Sequence, residues 1–112
     1  MWQRSISRLS LDCCDIQNDA LSKIRVLRNL RFLDLSNNPR LTVDCIKHLM
    51  HSRILDTLQL NNCNVSKEFL MGLVNLPSLR VLRIQNHNVS NVDLRAFQNL
   101  MPNTIVETRN YF

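Results

Sequence analysis

The 112-residue chain contains a grouping of side chains that could do metal or nucleophilic chemistry, Cys45-x-x-His48-x-x-His51. Thiolate and imidazole are the right donor types for zinc, which takes four ligands in a tetrahedron. Three donors at successive i+3 steps drift around a helix instead of converging, and no fourth is evident. The segment therefore reads as a surface helix, with no metal expected. As a catalytic dyad the same groups lack an orienting acid and oxyanion donors. Cys13 and Cys14 are adjacent, so on a strand they point to opposite faces and cannot chelate one ion together. Cys13 is expected as an outward, oxidisable thiol at the sheet edge. Gly72 is the single glycine. Phosphate-cradling loops need several, so neither a P-loop nor a dinucleotide fingerprint can be written here. No catalytic residue and no cofactor is expected.

Composition bounds the remaining classes. Hydrophobic residues make up 45% and charged residues 21%, a globular balance that argues against disorder. The length fits one domain over residues 1–112. Apolar runs such as Phe69-Leu70-Met71 are far shorter than the roughly 20 residues a bilayer span requires, so no membrane partner is expected. The net charge of +5 raises the odds of an acidic partner, nucleic acid included. The arginines are scattered, however, and nucleic acid is the less favoured reading. Four cysteines without the spacing of a secreted disulfide framework fit a reduced, cytoplasmic or nuclear protein. The opening stretch Met1 to Ser10 carries Arg4, Arg8 and three serines without an acid, which leaves a mitochondrial presequence as the alternative. The sequons Asn64-Val65-Ser66 and Asn88-Val89-Ser90 fall at equivalent points of two repeats and read as turn and cap residues.

The elements that must position these residues emerge when the chain is aligned with itself. Ile6-x-x-Leu9-x-Leu11-x-x-Cys14 is followed by Leu30-x-x-Leu33-x-Leu35-x-x-Asn38. Leu55-x-x-Leu58-x-Leu60-x-x-Cys63 and Leu79-x-x-Leu82-x-Ile84-x-x-His87 come next, and a partial fifth copy begins near Ile105. Alternation with period two makes each core a strand with one apolar face. The residue three places beyond the last apolar one turns inward, where asparagine bonds the turn backbone and cysteine packs as a small hydrophobe. Cys14, Asn38 and Cys63 suit that slot; His87 departs from it. Asn18, Thr42, Ser66 and Ser90 are N-cap types, and Asp19, Asp44, Glu68 and Asp93 place negative charge in the first helical turn. Leu21/Ile24, Ile46/Leu49, Phe69/Leu70/Leu73 and Leu94/Phe97/Leu100 then follow helical spacing. Pro77 and Pro102 stand where helices stop. With so little glycine, asparagine must make the tight turns.

No single repeat can bury its own apolar strip, so stacking is required. The unit resembles a leucine-rich repeat of the helix-bearing intracellular kind, over nearly the whole chain. The Cys14/Cys63 slot and the segment Leu41-Thr42-Val43-Asp44 resemble the cysteine-containing subtype of F-box and related cullin-ligase substrate receptors. The resemblance implies an α/β solenoid, a right-handed horseshoe segment with parallel strands on the concave face and helices on the convex face. It also implies that a substrate protein is held on the inner face. Two of the four slots are not cysteine, the periods run short for that subtype, and no F-box segment occurs in these residues.

By the repeat register, the outward residues of the strands are Arg8, Ser10 and Asp12; Phe32, Asp34 and Ser36; Thr57, Gln59 and Asn61; and Val81, Arg83 and Gln85. A fifth strand would add Glu107, Arg109 and Tyr111. An exposed Phe32 beside Thr57 and Val81, flanked by Asp34 and Arg83, has the composition of a contact patch for another protein. The alternative is an ordinary solvated sheet face with one stray aromatic. A second functional reading is a basic ribonucleoprotein component using Arg8, Arg83 and Arg109. Trp2 is expected either to cover the open end of the stack or to belong to an unordered start. Bare strand edges at both ends invite a partner or a second copy, or mark a fragment.

Overall fold

The structure, a computed structural model, describes residues 5–85 and 88–108. Five three-residue strands, β1 (Arg8–Ser10), β2 (Phe32–Asp34), β3 (Thr57–Gln59), β4 (Val81–Arg83) and β5 (Ile105–Glu107), form one parallel sheet in chain order. Residues one period apart are direct partners: Arg8, Phe32, Thr57, Val81 and Ile105 lie in one row, and Leu9, Leu33, Leu58, Leu82 and Val106 in the next. The pairing runs on past the strands into the turns. Leu35 N donates to Gln59 O at 2.9 Å and Asn37 N to Asn61 O at 2.8 Å; Leu60 N and Asn62 N repeat this with Arg83 O and Gln85 O.

Helical segments connect successive strands, as parallel pairing demands. They are a 3-10 helix over Asn18–Val26, a 3-10 turn at Val43–Cys45 leading into α1 (Ile46–Leu49), α2 (Lys67–Gly72) continued by a 3-10 turn at Leu73–Asn75, and α3 (Asn91–Leu100). Thr42, Ser66 and Ser90 cap as expected, accepting from the backbone N–H groups of Asp44, Phe69 and Asp93. Asn18 does not cap: Gln17 holds the N-cap position without a side-chain bond. The Asn18 side chain is drawn sideways instead, donating to Thr42 Oγ1 at 2.7 Å and accepting from Thr42 N at 3.0 Å. A neighbouring period thus competes successfully with the local cap.

The core lies between the sheet and these segments. Leu33, Leu58 and Leu82, then Leu35, Leu60 and Ile84, have no exposed surface, and Leu21, Leu49, Phe69, Leu70, Leu73 and Phe97 meet them from the other side. Each such side chain stabilises the fold by about 1.5–3 kcal/mol relative to exposure. Gly72 permits one close approach. With φ at −62° it is ordinary helix, but a Cβ there would press on Ile46 Cδ1 and come within 3.3 Å of Val43 Cγ2.

Three turns carry the left-handed residues that glycine usually supplies. Cys13 (φ 57°), Asn37 (φ 59°) and Asn62 (φ 57°) occupy the same point of successive periods, and Asp15 (φ 53°) adds a fourth. Asparagine tolerates this region through local side-chain bonding. Immediately after it, Asn38 is fully buried. Its Nδ2 donates to Leu11 O and Leu35 O, both at 2.9 Å, and its Oδ1 accepts from Ile16 N at 3.0 Å. Cys63, also buried, donates to Leu35 O at 3.1 Å. The inward slot therefore ties each turn to the period before it.

Four expectations need correction. Cys14 is exposed: no described period precedes its own, and its thiol bonds only the nearby Asp12 O at 3.4 Å. Cys13 and Cys14 lie in a turn beyond β1, not on a strand. Leu100 is 61% exposed, because α3 is followed by no described helix that could cover it. The fifth period begins two residues earlier than Ile105. Ile105 pairs with Val81, so Asn103 is the equivalent of Leu79 and the spacing is 24 residues, as it is between Arg83 and Glu107. Ile105 accordingly faces outward and is exposed, while Val106 takes the inward place. Trp2 and His87 lie outside the described residues.

Ser52 occupies a leucine position, since Leu27 and Leu76 stand at its equivalents and make the same backbone bond to the residue three before. Its Oγ is buried with no hydrogen-bond partner among the described residues. Ser52→Ala should therefore raise stability by about 1 kcal/mol in urea unfolding, as an unsatisfied hydroxyl is lost. Asn38→Ala should lower it by about 2–4 kcal/mol, since it strands Ile16 N and two carbonyls in the core.

Candidate functional site on the outward sheet face

Strand alternation sends every second residue away from the core. One outward row reads Arg8, Phe32, Thr57, Val81, Ile105; the next reads Ser10, Asp34, Gln59, Arg83, Glu107. Within β2, β3 and β4 the outward residues are half-buried, whereas those of the end strands β1 and β5 are exposed. The first row is mainly apolar and the second polar.

Phe32 is less open than its position promised. The Arg8 guanidinium carbon lies 4.1 Å from its ring centroid, a cation–π contact that covers part of the aromatic face. In the second row Ser10 Oγ donates to Asp34 Oδ2 at 3.5 Å, and Arg83 Nε donates to Glu107 Oε2 at 2.8 Å. The latter pair is partly solvated, so it contributes little stability and chiefly fixes the two side chains.

A third row lies where the strands run into the turns, and much of it serves the backbone. Asp34 Oδ1 accepts from Ser36 N at 3.0 Å, Ser36 Oγ from Asn61 N at 3.1 Å, and Asn61 Oδ1 from Gln85 N at 2.8 Å. Ser36 is buried, which removes it from the expected surface. Its hydroxyl is consumed in bracing the next period. Asp12 is exposed, and Asn61 and Gln85 are half-buried. Arg109 and Tyr111 lie outside the described residues.

Beside this row runs a ladder that the repeat register did not single out. Asn62 Nδ2 donates to Asn37 Oδ1 at 2.8 Å, and Asn37 Nδ2 donates to Asp12 Oδ1 at 2.7 Å. The signal was present in the sequence: Asn37 and Asn62 sit at the same point of adjacent periods. The bond from Asn37, followed by one from the Cys13 thiol, holds the Asp12 carboxyl below its ordinary value. The same Asp12 acceptor pushes the Cys13 thiol up, because its bond favours the protonated form.

The candidate metal segment is dispersed by burial. Cys45 is fully buried and His51 is exposed, and His48 Nε2 is buried without a hydrogen-bond partner among the described residues. No group of three or more His, Cys, Asp and Glu residues among the described ones is placed to hold a metal ion. Burial, reinforced by the nearby Cys63, pushes the Cys45 thiol up to about 12. Cys63 is raised chiefly by burial as well. All four cysteines are free thiols. Among the described residues no helix is long and apolar enough to cross a membrane. No protein-family model matches the chain, and no curated protein matches it in sequence.

The thiols supply two checks. Alkylation of the folded chain at pH 8, followed by peptide mass analysis, should label Cys13 and Cys14 and spare Cys45 and Cys63 until the chain is denatured. For Cys45 the folded form holds its proton more tightly than the unfolded form. The resulting stability is complete below the ordinary thiol value of 9.0 and is lost as pH rises toward about 12. Urea midpoints should accordingly fall across that interval, and Cys45→Ala should flatten the fall.

Proposed function

We propose that the chain is a leucine-rich repeat solenoid that binds another protein on its outward, concave sheet face. The observation that carries this reading is the pair of parallel rows. An apolar ribbon of Phe32, Thr57, Val81 and Ile105 runs beside a polar ribbon of Asp34, Gln59, Arg83 and Glu107, across strands joined in register. Such a surface offers a desolvating centre and a hydrogen-bonding rim. Because the rows are set by backbone pairing, the surface is preorganised, and a partner need not supply the ordering energy.

The absence of any assembled nucleophile, base or metal set in the sequence reading favours a binding module over an enzyme. Four free thiols favour a reducing compartment, cytoplasmic or nuclear. The resemblance of the repeat unit to cullin-ligase substrate receptors makes substrate recognition for ubiquitin transfer the specific form of this proposal.

The test is affinity capture of partners by the intact chain and by Phe32→Ala and Arg83→Ala variants whose circular dichroism is unchanged. Truncation of a central anchor should weaken capture by about tenfold or more. Equal recovery by the parent and both variants would remove the outward face as the binding surface.

A further inference from the structure

A cavity of about 430 Å³ opens at the edge where helical segments return to the sheet, and Arg25, Arg28, His51 and Arg53 line it. Two consecutive connections contribute. Arg25 lies in the last turn of the Asn18–Val26 helix, and Arg28 follows in the loop before β2. His51 and Arg53 occupy the corresponding stretch before β3. Arg28 and Arg53 are equivalent residues of adjacent periods, so the backbone pairing that builds the sheet also brings these two side chains to one place. The Arg53 backbone is pinned from the next period, where Ser78 Oγ donates to Arg53 O at 2.7 Å.

Basic residues near helix C-termini ordinarily complement the helix dipole, which accounts for Arg25. It does not account for Arg28 and Arg53, which lie beyond the helices. Nor are these guanidinium groups neutralised: among the described residues no carboxylate is within ion-pair distance of Arg25, Arg28 or Arg53, although Arg40, Lys67 and Arg83 each find one. Four of the nine acids, Asp19, Asp44, Glu68 and Asp93, lie at the other edge in the first turns of the helical segments, and the carboxylate of Asp56, which stands on this edge before β3, accepts from the Thr57 hydroxyl at 2.8 Å instead. Three uncompensated guanidinium forks around one polar hollow repel one another unless an anion is shared between them.

We infer that this cavity binds a phosphate monoester. The dianion carries about two negative charges and three acceptor oxygens, matched to convergent bidentate donors. The shape of the charge favours a compact group over a nucleic-acid backbone. The arginine position of the first two connections is filled by Pro77 in the next, and Asp56 stands where Arg31 and Arg80 stand in neighbouring periods. The basic surface is thus a spot and not a track, whereas a polyanion needs phosphate contacts repeated along its length. The inference is independent of the outward sheet face, because none of the four lining residues lies on it.

The test is calorimetric titration of the full chain at low ionic strength with O-phosphoserine, a phosphoserine peptide, its unphosphorylated form, and a single-stranded RNA oligonucleotide. Binding of O-phosphoserine and of the phosphopeptide, but not of the unphosphorylated peptide, is the expected result. Tighter binding of the peptide assigns the phosphate to a modified partner, and equal binding assigns it to a small ligand. Arg28→Gln and Arg53→Gln should each weaken binding about tenfold, while Arg40→Gln, at the acidic edge, should leave it unchanged. No heat with either phosphomonoester at millimolar concentration would overturn the inference. So would equal losses with Arg40→Gln, or preferential RNA binding that is weakened as much by Arg80→Gln as by Arg53→Gln.

Discussion

The interior shared between neighbouring periods is the constraint on which the other features depend. A strand of three residues offers one inward side chain, far too little apolar surface to hold a chain against its conformational entropy. Leu33, Leu58 and Leu82 become fully buried only because each is sandwiched between equivalents above and below and capped by residues such as Leu49, Leu73 and Phe97. The residues at the ends of the sheet show the same rule from the other side. Leu9 and Leu11 are only partly buried, and Leu100 is open, although their types match those of the centre.

Polar groups follow the same logic. Asn38, Ser36, Asn61 and Thr104 spend their side chains on backbone atoms of a neighbouring period. The turns could not otherwise be buried, because each unpaired amide in the interior would oppose folding by one to several kcal/mol. Bracing and display are in tension along the third outward row. Ser36 has been taken into the framework, Asn61 and Gln85 are half withdrawn, and among the described residues of the row Asp12 alone remains fully at the surface. The first row escapes this tension, since strand backbone is satisfied by strand backbone, whereas in the second Asp34 is drawn in by accepting from Ser36 N.

The basic cavity and the asparagine ladder show how a short repeat generates features that no single unit contains. Arg28 and Arg53 are unremarkable surface residues in sequence, 25 positions apart, as are Asn37 and Asn62. Stacking converts equal position in the period into proximity in space. A pair of like residues at equal phase becomes either a hydrogen-bonded ladder, when the side chain can both donate and accept, or a concentrated charge, when it can only donate.

Read without neighbours, the residues yield the period, the inward residues of the central strands, three of the four helix starts and the outward residues of β1 to β4, but not Ser36 or Ile105. These follow from local alternation, cap chemistry and repetition, which act over a few residues and need no knowledge of neighbours. Packing between periods is what leaves Cys14 exposed while Cys63 is buried, makes Asn18 bond Thr42 instead of capping its own helix, and lays Arg8 over Phe32. It also set the fifth strand two residues away from its apparent start, because Val106 and not Ile105 lies opposite Leu82. In each case the deciding partner comes from the adjacent period, about 24 residues away. A residue's type fixes which bonds it can make, but the stack fixes which of them have a partner within reach.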